Sequence, residues 1–112
     1  MIGANEMRGE ASFEVDGAAI LLRPSFAALV AAEAELGPLF ALVERAADGR
    51  LGIGEMAALF FHCAADPSAG SGQGRPEALT RERIGQAIAE GGLAKATPAL
   101  RMLLTQILQG RV

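Results

Sequence analysis

The sequence predicts an α+β fold: an N-terminal two-stranded antiparallel β-hairpin packed on a bundle of about four to five short α-helices. Three observations predict it. Residues 10–23, "EASFEVDGAAILLR", alternate around an Asp-Gly pair, the strongest short-range hairpin signal. From Pro24 onward, apolar residues recur at three- and four-residue spacings in segments punctuated by Gly or Pro. The composition is 51% hydrophobic but only 4% aromatic, without Trp or Tyr, so the core is built from Ala, Leu, Ile, Val and five Phe, a mixture that favours helices. At 112 residues the chain is expected to form a single domain from residue 10 to 112 behind a flexible tail at 1–9.

The hairpin comes first. Asp16-Gly17 suits a type I′ turn, whose two central residues both need positive φ, and a two-residue loop fixes the register. Val15 then faces Ala18, Phe13 faces Ile20 and Ala11 faces Leu22, with all six side chains on one apolar face. Two strands alone are marginal in water, so that face must lie against helices.

Pro24 can sit in the first turn of a helix running to Leu36 and stopped by Gly37. Wound as a helix, this stretch puts Phe26, Leu29, Val30 and Leu36 on one expected core face, with Glu33 at its centre and Glu35 toward solvent. "PLFALVERAAD" makes a second short helix with Leu39, Phe40, Leu42 and Val43 on its apolar side. In "EMAALFFHCAAD", Ile53, Met56, Leu59, Phe60 and Cys63 share a face. Residues 66–77, rich in Gly, Pro and Ser, read as an exposed, mobile connector. Thr80 can cap a helix through about Glu90, with Ile84, Ala87 and Ile88 inward. Thr97 and Pro98 offer start signals for a last helix carrying Leu100, Leu103, Leu104, Ile107 and Leu108 and ending at Gly110.

Charge and motifs exclude several function classes. The net charge is −3, and ten scattered basic residues form no stripe for nucleic acid or an anionic membrane. No apolar run reaches the roughly 18–20 residues of a membrane-spanning helix. A single cysteine leaves no internal disulfide, and the N-terminal residues lack the basic and apolar regions of a signal peptide, so a cytoplasmic protein is expected.

His62 and Cys63, the only residues of their types, diverge by about 100° on a helix, so they cannot share a metal ion or act as a nucleophile and base. Cys63 is expected to fill the core and His62 to lie at the surface. "GSGQGR" lacks the Gly-Lys-Ser/Thr ending of a phosphate loop. No catalytic, metal or cofactor residues are assigned, and no cofactor is expected.

Glu33 is the candidate structural carboxylate. Buried without a partner it would cost several kcal/mol or become neutral. An arginine such as Arg23, Arg45, Arg50 or Arg101, or the free N–H groups at a neighbouring helix start, could satisfy it. Leu21, Phe61 and Met102 lie off the stripes of their own elements. They mark either a partner-binding surface or a core that wraps further round.

From residue 8 to the end, the order of signals resembles the small gene transfer agent and phage tail assembly proteins of the tail-chaperone type. The resemblance rests on "RGEASFEVDGAAILLRPSFAALVAAEAELG", "LFALVERAADGRLGIGEMAALFFHCA" and "EGGLA", with Ala32 where family members commonly carry Leu. It implies a non-enzymatic assembly factor of the bacterial cytoplasm that binds the tape measure protein during tail assembly. Glu33 aligns with the family's motif Glu. The alternative is a structural tail component that self-assembles and stays in the particle, with the hairpin edge and the last helix as contacts between copies.

Overall fold

The computed structural model describes residues 11–65 and 78–110. The tail at 1–9 and the connector at 66–77 lie outside the described residues. The chain runs β1 (Ala11–Val15), β2 (Ala18–Leu22), α1 (Phe26–Leu36), α2 (Leu39–Ala47), α3 (Ile53–Cys63), β3 (Ala64–Ala65), α4 (Arg81–Gly91) and α5 (Leu93–Gln109). This is the α+β arrangement of hairpin and helices.

The hairpin has the expected register, Ala11 to Leu22, Phe13 to Ile20 and Val15 to Ala18. Asp16 at φ 54° and Gly17 at φ 82° make the turn, with positive φ at both central residues as a type I′ loop requires. Ala11, Phe13, Val15, Ile20 and Leu22 are buried, while Ala18 beside the turn is exposed. The Phe13 and Phe60 rings meet at 5.4 Å and 56°, joining sheet to helices. A third strand was not legible in the sequence. β3 pairs antiparallel with β2, Leu21 to Ala65 and Leu22 to Ala64, giving the order β1-β2-β3. One further bond, from the Arg23 amide to the Cys63 carbonyl at 2.7 Å, extends that seam.

α1 begins at Phe26 rather than at Pro24, because the Ser25 hydroxyl caps it by accepting the Ala28 amide at 3.1 Å. Its inward face also differs from the expected one. Ala28 and Ala32 are buried and Leu29 and Leu36 half-buried, whereas Phe26 is 85% exposed and Val30 also faces out. α1 packs on α3 through alanines, whose small side chains permit close approach.

α2 turns 73° from α1 and anchors itself with the fully buried Leu42, a side chain that contributes about 1.5–3 kcal/mol. Phe40, expected inward, is 77% exposed. α3 is the central helix, burying Met56, Ala57, Ala58, Leu59, Phe60 and Cys63, and Ile53 at its start is exposed.

α4 starts at Thr80, whose hydroxyl accepts the Arg83 amide at 3.1 Å, and buries Ile84 and Ile88. α5 begins at Leu93, five residues before the proline expected to start it, so Pro98 lies inside the helix. Pro98 removes one backbone N–H, and the Thr97 hydroxyl donates to the Leu93 carbonyl at 2.8 Å in the preceding turn. Ala96, Ala99, Leu103 and Gln106 are buried, and the expected core residue Leu108 is exposed.

Candidate functional site

Both carboxylates of α1 are exposed, and each ties its helix to a neighbour, Glu33 through a helix-start N–H as one of its expected partners. Glu33 is exposed, not buried, because the face it shares with Phe26 and Val30 points outward. Its Oε2 accepts the Leu39 amide at 3.2 Å. That amide opens α2, whose N-cap residue, Pro38, makes no side-chain cap, so Glu33 supplies the missing acceptor across the corner.

Glu35 joins three helices. Its Oε1 lies 2.7 Å from His62 Nε2 on α3, and its Oε2 pairs with Arg81 Nη1 on α4. The same guanidinium sits 5.1 Å from the centre of the Phe61 ring. The Arg81 hydrogen bond, and after it the one from His62, hold the Glu35 carboxyl well below its usual range, at about 2. Arg81 is correspondingly raised, first by the hydrogen bond to Glu35. His62, expected at the surface, is thus half-buried in an interhelical cluster.

Other ion pairs also join elements, Arg83 Nε on α4 to Asp16 in the hairpin turn at 3.4 Å among them. Glu55 accepts the Gly52 amide at 3.0 Å with one oxygen and pairs with Arg45 through the other, so its carboxyl is lowered. Arg45 and Arg50 line a shallow cleft of about 410 Å³ with Glu44 and Asp48. Both arginines are already neutralised there, by Glu55 and by Asp48 at 3.4 Å.

Among the described residues no group of His, Cys, Asp or Glu is placed to hold a metal ion, and no single helix is long and apolar enough to cross a membrane. Burial pushes the Cys63 thiol up to about 12, which keeps it protonated and inert.

Leu21, Phe61 and Met102 are each half-buried. Phe61 and Met102 pack against the core, and Leu21 sits in the seam with β3, so the three do not converge on one exposed patch. The large exposed apolar side chains are others. Phe26 and Val30 lie one turn apart on the outward side of α1, and Phe40 stands at the start of α2. The signal that could have found them is Glu33 itself: a carboxylate within an apolar stripe marks that stripe as the solvent side.

The fold thus combines a small sheet, helices, internally paired charges and two exposed phenylalanines, Phe26 and Phe40. The chain belongs to the family described as "Phage tail tube protein, GTA-gp10", whose model matches residues 8–110. The resemblance to gene transfer agent and phage tail proteins thus holds over nearly the whole chain. The description names a tail tube protein and not a chaperone. No curated protein and no solved structure matches the chain.

Proposed function

We propose that this chain is a non-enzymatic, structural component of a phage-type or gene transfer agent tail, which assembles with other tail subunits, copies of itself among them, and stays in the particle. The observation that carries this reading is the outward aromatic pair, Phe26 and Phe40, in a member of a tail tube family. An exposed Phe costs about 1.5–3 kcal/mol of burial energy that folding leaves unused and an interface can recover.

Assembly would take place in the bacterial cytoplasm. The test is to purify finished particles and quantify the chain within them. Retention at a fixed stoichiometry supports the structural role. Absence from the particles, with the chain abundant in the lysate, overturns it.

The same exposed aromatics fit a second reading, a chaperone that holds the tape measure protein during assembly. An amphipathic helix could lay its apolar face over Phe26 and Val30. That reading requires co-expression with the tape measure protein to yield a soluble complex, and the chain to leave before the particle is complete.

A further inference from the structure

β1 is an edge strand, and its hydrogen-bonding parity follows from its turn. In a two-residue hairpin the residues flanking the loop form a hydrogen-bonded pair, here Val15 with Ala18, and such pairs recur at every second position. Phe13 and Ala11 therefore spend their backbone groups on Ile20 and Leu22, while the N–H and C=O groups of Ser12 and Glu14 point out of the sheet. The other side of the hairpin obeys the same parity, since Arg23, two residues beyond Leu21, donates outward to Cys63. Among the described residues, no backbone hydrogen bond of Ser12 or Glu14 runs to the outer edge. Ser12 is half-buried and Glu14 exposed, and α4 and α5 pack against β1.

Open edges are blunted by Pro, charged side chains, a bulge or a covering helix or loop. β1 has no Pro, its one charge is Glu14, and its register with β2 runs unbroken over five residues. We propose that this edge pairs antiparallel with β1 of a second copy, about a two-fold axis through Phe13, to form a continuous six-stranded sheet; the proposal rests on the self-assembly reading above and names its contact.

The charges select the register. Centred on Phe13, the two-fold sets Ser12 opposite Glu14 of the second copy, twice, and Ala11 opposite Val15, so all five residues of each strand find a partner. Each hydroxyl can donate to the facing carboxylate. Sliding the axis one residue to Glu14 would put the two Glu14 carboxylates face to face and set Ser12 against Asp16, which charge repulsion and lost overlap disfavour. The interface is isologous, as a closed dimer requires.

The test is sedimentation velocity on the full chain over a concentration series, with hydrogen exchange read at single amides. The wild type should associate to a dimer, and the amides of Ser12 and Glu14 should exchange more slowly as concentration rises. Ser12→Glu sets two carboxylates against each other in both symmetric contacts and should raise the dissociation midpoint about tenfold. Adding Glu14→Lys converts each contact to an opposite-charge pair and should restore or tighten the dimer. A chain that stays monomeric, or a dimer indifferent to both variants, overturns the proposal. Association that survives Ser12→Glu but is lost on Phe26→Asp overturns it too, while leaving the structural role intact.

Discussion

At the scale of single residues, the two glutamates of α1 show how two positions along a helix separate a cap from a cross-brace. Glu33 replaces the acceptor that Pro38 cannot offer, and Glu33→Ala should cost about 0.5–1 kcal/mol in urea unfolding, the value of a helix cap at an exposed site. Glu35 works through charge. Its carboxyl lies near 2 in the folded chain against an ordinary 4.5, so the unfolded state binds the proton more readily. The stabilisation is therefore complete above about pH 4.5 and lost as the pH falls toward 2. Glu35→Gln should melt lower than wild type at neutral pH, and the gap should close on acidification. High salt should narrow it too, since the pair is solvent-accessible. Glu55 is lowered in both proteins, so the difference between their pH profiles isolates Glu35. The sequence placed Glu35 in solvent and could not show its partners, because Arg81 follows 46 residues later and only the packing of α1, α3 and α4 brings it near.

At the scale of elements, legibility tracks how local the deciding physics is. The hairpin was readable to the residue because Asp16-Gly17 fixes its own turn, and the turn fixes the register. α3 and α4 were readable because their stripes carry large apolar residues facing one way. α1 was not: "FAALVAAEAEL" is apolar on nearly every side, so periodicity offers two faces, and the close approach to α3 selects the alanine one. β3 is two residues long and exists only because β2 offers it an edge. The start of α5 was missed because Pro98 is a start signal that tertiary packing overrode, with the buried Ala96 holding the earlier turn in place. Two substitutions check these accounts. Pro98→Ala restores an N–H within α5 and should stabilise by about 1–2 kcal/mol. Gly85→Ala should add about 0.5–1 kcal/mol, because a Cβ on Gly85 would meet Ala57 at an ordinary 3.6 Å in the middle of α4. A loss in either thermal melt would mean that the helix needs its break or its gap.

At the scale of the whole molecule, the core and the contact surface divide the aromatic residues between them. Phe13 and Phe60 stack inside, Phe61 packs at the core's margin beneath Arg81, and Phe26 and Phe40 stand in solvent. Folding has a use for the first three alone. A Phe26→Ser, Phe40→Ser double variant should therefore unfold within about 0.5 kcal/mol of wild type, as surface substitutions do. If these side chains form the contact with neighbouring tail subunits, the same variant should be depleted from purified particles. The β1-mediated dimer should be untouched, because the hairpin carries neither residue. Urea unfolding, sedimentation and particle immunoblots on one preparation separate the outcomes. A large stability loss would place the two rings in the fold's own packing. Normal incorporation with normal stability would show that the tail contact lies elsewhere, leaving two exposed aromatics that an assembly partner must account for.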